Sequence, residues 1–427
     1  MRELLKKYIS NKKVLILGFG REGRSTLKEI LKAGGFESIT IADMKEIKDE
    51  LPEGIGTVTG DGYLDCIDDY DICFKSPGVV LKKPADEYGA YVTSEVDIFI
   101  EKYGDRIIGI TGTKGKSTTS SLIAHALKYA GKDVVFGGNI GIPVFDIWES
   151  VKDESVIVLE LSCHQLEYLR KPMHKAVLLN IYEDHLDHYG TREKYARAKM
   201  NIYLTQGPGD ILYTMSEWAP KDGYRGEVKT VSISEAPFKD FSELEGCRLK
   251  GSHNVLNAAF AYLVVKEYGV SADTFKKAVS GFEGLPHRLQ FIGNKNGTDY
   301  YDDSISTTVK SAESAVLSIE NAAVLLLGGM ERNLEYDELI DFVSSSRLKA
   351  VIFMYASGKR MYEMYMNKNT AGTGPKPVLV RDLKEAVEAA EGLAGEGDAV
   401  ILSPAAASYD SFKNFEERGD VYKSLVF

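Results

Sequence analysis

Residues 106–118 read Arg-Ile-Ile-Gly-Ile-Thr-Gly-Thr-Lys-Gly-Lys-Ser-Thr. An apolar run, Ile107 to Ile110, enters a glycine-rich turn, followed by Lys116, a hydroxyl at Ser117 and a helix-like stretch. This order commits the region to a strand, a tight loop and a helix. It is also the chemistry that holds a nucleoside triphosphate. Glycines let backbone N–H groups close on phosphate oxygens, the lysine offsets charge, and the hydroxyl can ligate Mg²⁺. The longer form of the motif has glycine where this chain has Ile110, so Gly112-Thr-Lys-Gly-Lys-Ser is a shortened variant.

Length and composition bound the rest. A chain of 427 residues suggests roughly two to four domains. No apolar run approaches the ~18 residues of a membrane span. The N-terminal lysines precede a core of only Val14 to Leu17 and then a glycine turn, which reads as a first strand and not a signal peptide. Cys66, Cys73, Cys163 and Cys247 form no CxxC pair, which fits a reducing cytoplasm and argues against structural zinc. A formal net charge of −11 argues against general nucleic-acid binding.

Strand and helix signals alternate in three blocks, which predicts an α/β chain with parallel sheets covered on both faces. The expected boundaries are 1–99, 100–283 and 284–427. Expected strands include Val14 to Leu17, Ser38 to Ala42, Asp133 to Phe136, Val156 to Leu161, Ala176 to Asn180 and Asp210 to Tyr213. In the third block they are Ala323 to Leu327, Ala350 to Met354, Pro377 to Val380 and Ala399 to Leu402. Asp382 is placed to cap a helix, and Thr370 to Pro377 reads as a surface loop.

Four further stretches carry chemistry. Gly18-Phe-Gly-Arg-Glu-Gly23 follows the first strand with GxGxxG spacing, and Asp43 ends the second strand. That pattern seats a diphosphate on a helix N-terminus, with a redox dinucleotide as the usual inference and a plain tight turn as the alternative. Ser76-Pro-Gly78 is a second turn able to offer N–H groups. Glu160 ends a buried strand and is a natural second Mg²⁺ ligand beside a phosphate loop. In Asn180-Ile-Tyr-Glu-Asp-His-Leu-Asp-His188, His185 and His188 with Asp184 and Asp187 suit either a transition metal or a hard cation. Lys199, on an expected helix, reads by itself as a surface lysine.

Taken in order, Gly112 to Thr118, Glu160-Leu-Ser-Cys-His-Gln165, Asn180 to His185, His253-Asn-Val-Leu-Asn257 and Leu285-Pro-His-Arg288 resemble the motifs of the Mur ligases, the ATP-dependent amino-acid adding enzymes of peptidoglycan synthesis. Ser403 to Gly419 resembles the C-terminal signature of their glutamate-adding branch, and the resemblance spans essentially the whole chain. It implies three domains: a Rossmann-like N-terminal domain for the UDP substrate, a central P-loop ATPase-type domain and a Rossmann-like C-terminal domain. The implied substrates are ATP, glutamate and UDP-N-acetylmuramoyl-L-alanine, used by a cytoplasmic monomer.

The resemblance also implies roles. Gly18, Phe19, Gly20 and Asp43 would lie near uridine, and Ser76, Pro77 and Gly78 near the diphosphate, so that the first block takes UDP and not NAD. Asn139 and Gln165 would hold the sugar-peptide. Gly112 to Thr118, Asn257, Arg288 and Asp303 would contact ATP. Ser117, Glu160, His185 and a carbamylated Lys199 would hold Mg²⁺, with two ions expected. His287 would sit near the reacting centre. Thr307, Arg332, Ser408 and Phe415 would receive the glutamate. Two positions depart from the family's usual reading. Ile305 stands where lysine is common, and Arg332 stands where a lysine commonly meets the α-carboxylate. Arginine binds carboxylates through a planar fork, lysine as a point charge. Either D- or L-glutamate is therefore open at this point. A folylpolyglutamate-synthase-like ligase would lack the first block, a redox enzyme would explain only residues 14 to 43, and a non-enzymatic regulator would not need Lys116, Ser117, Glu160, His185 and Lys199 together. Domain closure is expected around Phe99 and Gly284.

Overall fold

The computed structural model describes residues 1–140, 142–182, 186–249, 251–332, 334–369 and 374–427, with the backbone alone for residues 186 and 187. They divide into two compact units, Met1–Leu244 with Ser252–Ser280 and Glu245–Gly251 with Gly281–Phe427. Among them no helix is long and apolar enough to cross a membrane.

The first unit holds two parallel sheets. One contains β1 (Lys13–Leu17), β2 (Ser38–Asp43), β3 (Ile55–Thr59), β4 (Ile72–Lys75) and β5 (Tyr91–Thr93), in the order β3-β2-β1-β4-β5. The other contains β6 (Ile107–Thr111), β7 (Val134–Gly138), β8 (Val156–Glu160), β9 (Lys175–Leu178), β10 (Ile211–Thr214) and β11 (Glu227–Thr230), in the order β11-β10-β9-β6-β8-β7. Every pairing in both sheets is parallel. Central strands such as β6 and β8 are apolar along their length and buried on both faces, as covered parallel sheets require.

This order puts chemistry at the strand ends. The chain turns one way from β1 to β2 and the other way to β4, so a crevice opens beyond the carboxyl ends of β1 and β4. In the second sheet β6 lies between β8 and β9, with Ile110 opposite Glu160 and Thr111 opposite Leu178. The phosphate loop therefore leaves its strand flanked by Glu160 on one side and by Asn180, two residues past β9, on the other.

The helix Glu95–Tyr103, capped by Ser94 Oγ on the Asp97 N–H, runs straight through the expected boundary at 99/100. Phe99 is fully buried in a core shared by both sheets, with Ile16 and Phe74 from one and Leu159 and Ala176 from the other.

The second unit holds β12 (Gln290–Lys295), β13 (Thr298–Asp302), β14 (Ala322–Leu327), β15 (Ala350–Phe353), β16 (Lys376–Leu379) and β17 (Ala399–Leu402), ordered β12-β13-β17-β14-β15-β16. Only β12 is antiparallel, paired with β13 in a hairpin. Asp382 caps its helix as expected, accepting from the Glu385 N–H at 2.9 Å. The reading of residues 370–377 as loop needs correction at its end: Lys376 and Pro377 pair with Ala350 and Val351. Proline lacks an N–H, and β16 is an edge strand where one can be spared. Thr370 to Thr373 lie outside the described residues.

Leu326 sits fully buried in β14, between β15 and β17. Leu326→Ala is expected to cost about 2–5 kcal/mol, read as an earlier urea midpoint for the C-terminal unit. A loss under about 0.5 kcal/mol, the usual range for surface changes, would contradict this packing.

Candidate active site

The phosphate loop is shaped by two glycines and clamped by β9. Gly115 has φ +86° at the cap of the helix Lys116–Tyr129, and a Cβ there would stand 2.5 Å from Asn257 Oδ1. Gly112 passes so close to β9 that a Cβ would lie 2.9 Å from Leu179 Cβ. Only glycine meets both the backbone and the space requirement at Gly115. The Thr113 N–H donates to Asn180 O at 3.0 Å, and the Lys114 N–H to Asn180 Oδ1 at 2.9 Å. Asn180 Nδ2 returns a bond to Lys114 O at 3.0 Å. Thr113 Oγ1 donates to Tyr182 O, accepts from the Tyr182 N–H and is hydrogen-bonded to Tyr195 OH at 3.0 Å.

The charged groups follow. Lys116 Nζ donates to Gly112 O at 2.9 Å and Thr113 O at 3.1 Å, lying over the loop it would serve. Ser117 is buried at the first turn of the helix, with Thr118 beside it. Asn257 reaches the loop from the helix Ser252–Lys266, which packs along the helix Lys116–Tyr129. Lys199 is not the surface lysine its local sequence suggests. It is 1% exposed on the helix Arg192–Leu204 and donates to Gly112 O at 2.9 Å, with Nζ over the Tyr195 ring.

Glu160 is 2% exposed. Its Oε1 accepts from Asn139 Nδ2 at 2.7 Å, while the buried Oε2 has no hydrogen-bond partner among the described residues. A buried carboxylate oxygen left without a donor is costly. A divalent cation would satisfy it, so the donor set here fits Mg²⁺. His185 lies outside the described residues, as do Asp184, Gly141 and Asn333. His188 packs instead beside His164 and Glu167.

All seven residues expected around UDP, Gly18, Phe19, Gly20, Asp43, Ser76, Pro77 and Gly78, line one cavity of about 610 Å³ beyond β1 and β4. Gly18 has φ +87°, and a Cβ there would lie 2.9 Å from Ser76 Cβ. Gly20 has open space in front of it, which lets a ligand approach the backbone. Asp43 works partly on the protein itself, accepting from the Phe19 and Lys45 N–H groups at 2.6 and 2.8 Å. Asn139 and Gln165 do not line that cavity. Gln165 instead spans the two sheets, donating to Glu22 at 2.6 Å. Burial pushes the Glu22 carboxyl up to about 7, against the lowering effects of Gln165 and Lys75.

In the second unit, loops following β13, β14 and β17 converge on Arg418. This guanidinium is fully buried and donates to Ser304 Oγ, Ser304 O and Ala406 O at 2.9, 2.7 and 3.1 Å. Burial lowers its pKa to about 10. Ser304 Oγ in turn donates to Phe415 O at 2.8 Å. The Met330 N–H donates to Ala407 O at 2.8 Å, and the Arg332 guanidinium lies over the Tyr409 ring. Thr307 is half-buried just after this cluster.

Asp303 accepts from the Leu289 N–H at 3.0 Å and Ser403 Oγ at 2.7 Å. Burial pushes it up to about 6, with Ser306, Ser403, the Leu289 N–H and the Arg288 charge acting the other way. Arg288 itself is exposed. His287, at φ +59°, donates from Nδ1 to Asp302 Oδ2 at 2.7 Å. Gly419 makes the pair possible, because a Cβ there would collide with both groups. Arg418 and Asp302 were not singled out from sequence. The signal available for Arg418 was its place beside Gly419 in the C-terminal motif.

The description Mur ligase middle domain matches residues 110–265, and Mur ligase, glutamate ligase domain, matches residues 287–406. A UDP-N-acetylmuramoylalanine–D-glutamate ligase of Clostridium botulinum is 32% identical over 453 aligned positions, covering 99% of this chain and 98% of that protein. The chain belongs to the Mur ligase family. A ligase of the same name from Clostridium kluyveri is also 32% identical, over 449 positions covering 99% and 98%. Among solved structures, the Thermotoga maritima MurF ligase in complex with ADP aligns over 100% of this chain and 99% of its own, at TM-score 0.56 and 18% identity. The MurC ligase of the same organism aligns over 97% and 98%, at TM-score 0.56 and 18% identity. At that identity both speak for the fold, the α/β architecture with three parallel-rich sheets. The chain is thus an ATP-dependent amide-forming ligase of this family, and the redox, regulatory and folylpolyglutamate-synthase readings fall away.

Burial acts to lower the His287 pKa, but the hydrogen bond to Asp302 and the charges of Asp302, Asp420 and Glu416 outweigh it and raise it above 6.5. A raised folded value means the pair stabilises the fold fully below about 6.5 and loses that contribution as pH climbs through the folded pKa. NMR titration of the imidazole should therefore give a midpoint above 6.5, and a lower one in Asp302→Asn, where only the charges of Asp420 and Glu416 still oppose burial. An unchanged midpoint would contradict the assignment.

Proposed function

We propose that this Mur ligase joins D-glutamate to UDP-N-acetylmuramoyl-L-alanine with hydrolysis of ATP, in cytoplasmic peptidoglycan precursor synthesis. One observation carries the reading. A cavity of about 610 Å³ opens at the β1/β4 crevice, in the same compact unit as a phosphate loop flanked by a buried carboxylate. The D-glutamate assignment follows the name of the full-length relatives.

A free carboxylate is a poor electrophile, so the alanyl carboxylate must first be made an acyl phosphate. That step brings two anions together. At ~4 Å and an effective dielectric near 20 their repulsion is about 4 kcal/mol, or roughly three decades in rate. Lys116 lies on the loop, 3.1 Å or less from two of its carbonyls, and a turn of its side chain would deliver the ammonium to phosphate. The helix N-terminus at Ser117 and the backbone of Gly112 to Thr118 add fixed positive potential. Asn257 and, from the second unit, Arg288 and Asp303 are assigned to the nucleotide.

Ser117, Glu160, His185 and a carbamylated Lys199 are the residues that would hold two Mg²⁺, which when bound would screen the phosphate charge. Carbamylation would turn the buried Lys199 ammonium into an anion beside Gly112 O. On the acceptor side, Arg332 offers a planar fork to a glutamate carboxylate, with Thr307, Ser408 and Phe415 on the neighbouring loops. His287, held by Asp302, is assigned to handle a proton as the glutamate amine attacks the acyl phosphate. Asn139 and Gln165 are assigned to the sugar-peptide, and the enzyme is taken to act as a monomer.

ADP release should require UDP-N-acetylmuramoyl-L-alanine and D-glutamate together. Equal or greater stimulation by L-glutamate would transfer the assignment to the other enantiomer, a possibility that Ile305 and Arg332 keep in view. Lys116→Ala should lower kcat at least a hundredfold, within the range for removing one preorganised charge, while circular dichroism stays native. Near-normal turnover would refute its role. Lys199→Ala should be inactive and regain turnover with a short carboxylic acid, and full activity without one would remove the carbamate.

A further inference from the structure

A second group of metal-ligating side chains stands outside the residues assigned to Mg²⁺. His164 and Glu167 are three positions apart at the short helix Cys163–Leu166, so they share a face. His188 comes from the helix Leu186–Tyr189. The two imidazoles lie 4.2 Å apart by ring centroid, and His188 Nε2 is 3.5 Å from Glu167 Oε2. One donor atom from each of the three lies within 4.8 Å of the other two.

We propose that His164, Glu167 and His188 bind one divalent transition-metal ion of the zinc class. The donor chemistry argues for it. Glu167 Oε2 and His188 Nε2 are both buried and make no hydrogen bond among the described residues, although they face each other. At 3.5 Å the two atoms are beyond hydrogen-bond length, which leaves both desolvated. Zinc bonds to nitrogen and carboxylate oxygen are about 2.0–2.2 Å, which puts tetrahedral ligand atoms roughly 3.3–3.5 Å from one another. The His188–Glu167 pair already has that spacing, and side-chain movement of about 1 Å closes the rest. Two imidazoles and a carboxylate favour zinc, cobalt or iron over Mg²⁺, which prefers oxygen alone. The outer contacts fit as well. Tyr189 OH is 3.2 Å from His164 Nδ1, and its ring stacks on His164 at an interplanar angle of 9°. Such a partner fixes the orientation of a ligating imidazole.

The ion would tie the segments that follow β8 and β9, the two strands flanking the phosphate loop. Tyr189 packs on Tyr195, whose hydroxyl bonds Thr113 of that loop. The site is therefore a clamp on the loop's support.

The test uses the full chain, stripped with chelator and free of nucleotide. Co²⁺ is the optical probe and Zn²⁺ the competitor. One equivalent of Co²⁺ should give the intense visible bands of a four- or five-coordinate site, displaced by one equivalent of Zn²⁺. His164→Gln, Glu167→Gln and His188→Gln should each weaken Zn²⁺ binding at least tenfold, while Glu160→Gln keeps the bands. Zinc K-edge absorption of the unaltered chain should show two imidazole shells, a readout that does not depend on how the variants fold. Wild-type affinity in all three variants, bands lost only in Glu160→Gln, or an oxygen-only zinc shell would each overturn the proposal.

Discussion

The turn from β6 into the helix Lys116–Tyr129 is the constraint on which the active half of this molecule depends. It has almost no freedom. Gly112 is pressed against β9, Gly115 takes a left-handed backbone against Asn257, and Asn180 bonds the loop from both its main chain and its side chain. Backbone N–H groups can meet phosphate only if the turn is held in that shape before the ligand arrives. Preorganisation of this kind removes reorganisation cost from the step in which charge builds up. Lys199, Tyr195 and Thr113 extend the support one layer outward, and the proposed zinc clamp would extend it a further layer.

Burial of polar groups around the turn has a shared logic. Glu160 and Lys199 are both removed from water, and Glu22, at the neighbouring crevice, is half-buried with its Oε2 shielded. Each such group costs stability unless it is paired. Glu160, at the end of β8, can serve an anion only through a cation, whereas the buried Lys199 lies directly against the phosphate loop. Arg418 plays a different part in the second unit. Its three bonds to main-chain and hydroxyl oxygens join the loops that carry Ser304 and Ala406, so a fully buried cation there organises backbone.

Much of this was legible in the amino-acid order. Strands β6, β8, β14 and β17 are continuous apolar runs because both faces are covered, and the glycine turns after β1 and β6 declared themselves. The exposed edge strands β3 and β11 did not. Ile55–Thr59 and Glu227–Thr230 expose most of their residues, so they carry no apolar run to read. The hairpin Gln290–Asp302 was missed despite Asn296-Gly297 between its strands, a pair whose positive φ values suit a tight hairpin turn. Lys199 and Arg418 were misjudged or passed over for one reason: local sequence cannot show that a long cationic side chain is aimed inward. The grouping of His164 with His188 is likewise a product of the β8 and β9 connections meeting in space, and His188 in its own sequence context pointed toward Asp184 and His185. By contrast, the seven residues that the family resemblance assigns near UDP line one cavity, because the turns after β1, β2 and β4 lie side by side at one edge of the sheet.

The central claim is that a triphosphate converts the alanyl acid into an acyl donor that an amino acid then captures. It is tested most directly by placing oxygen-18 in the alanyl carboxylate of the UDP-linked substrate and analysing the phosphate released during turnover. One labelled oxygen per phosphate, matching the amide formed, is the predicted result. Phosphate free of label in the presence of normal product would contradict the account.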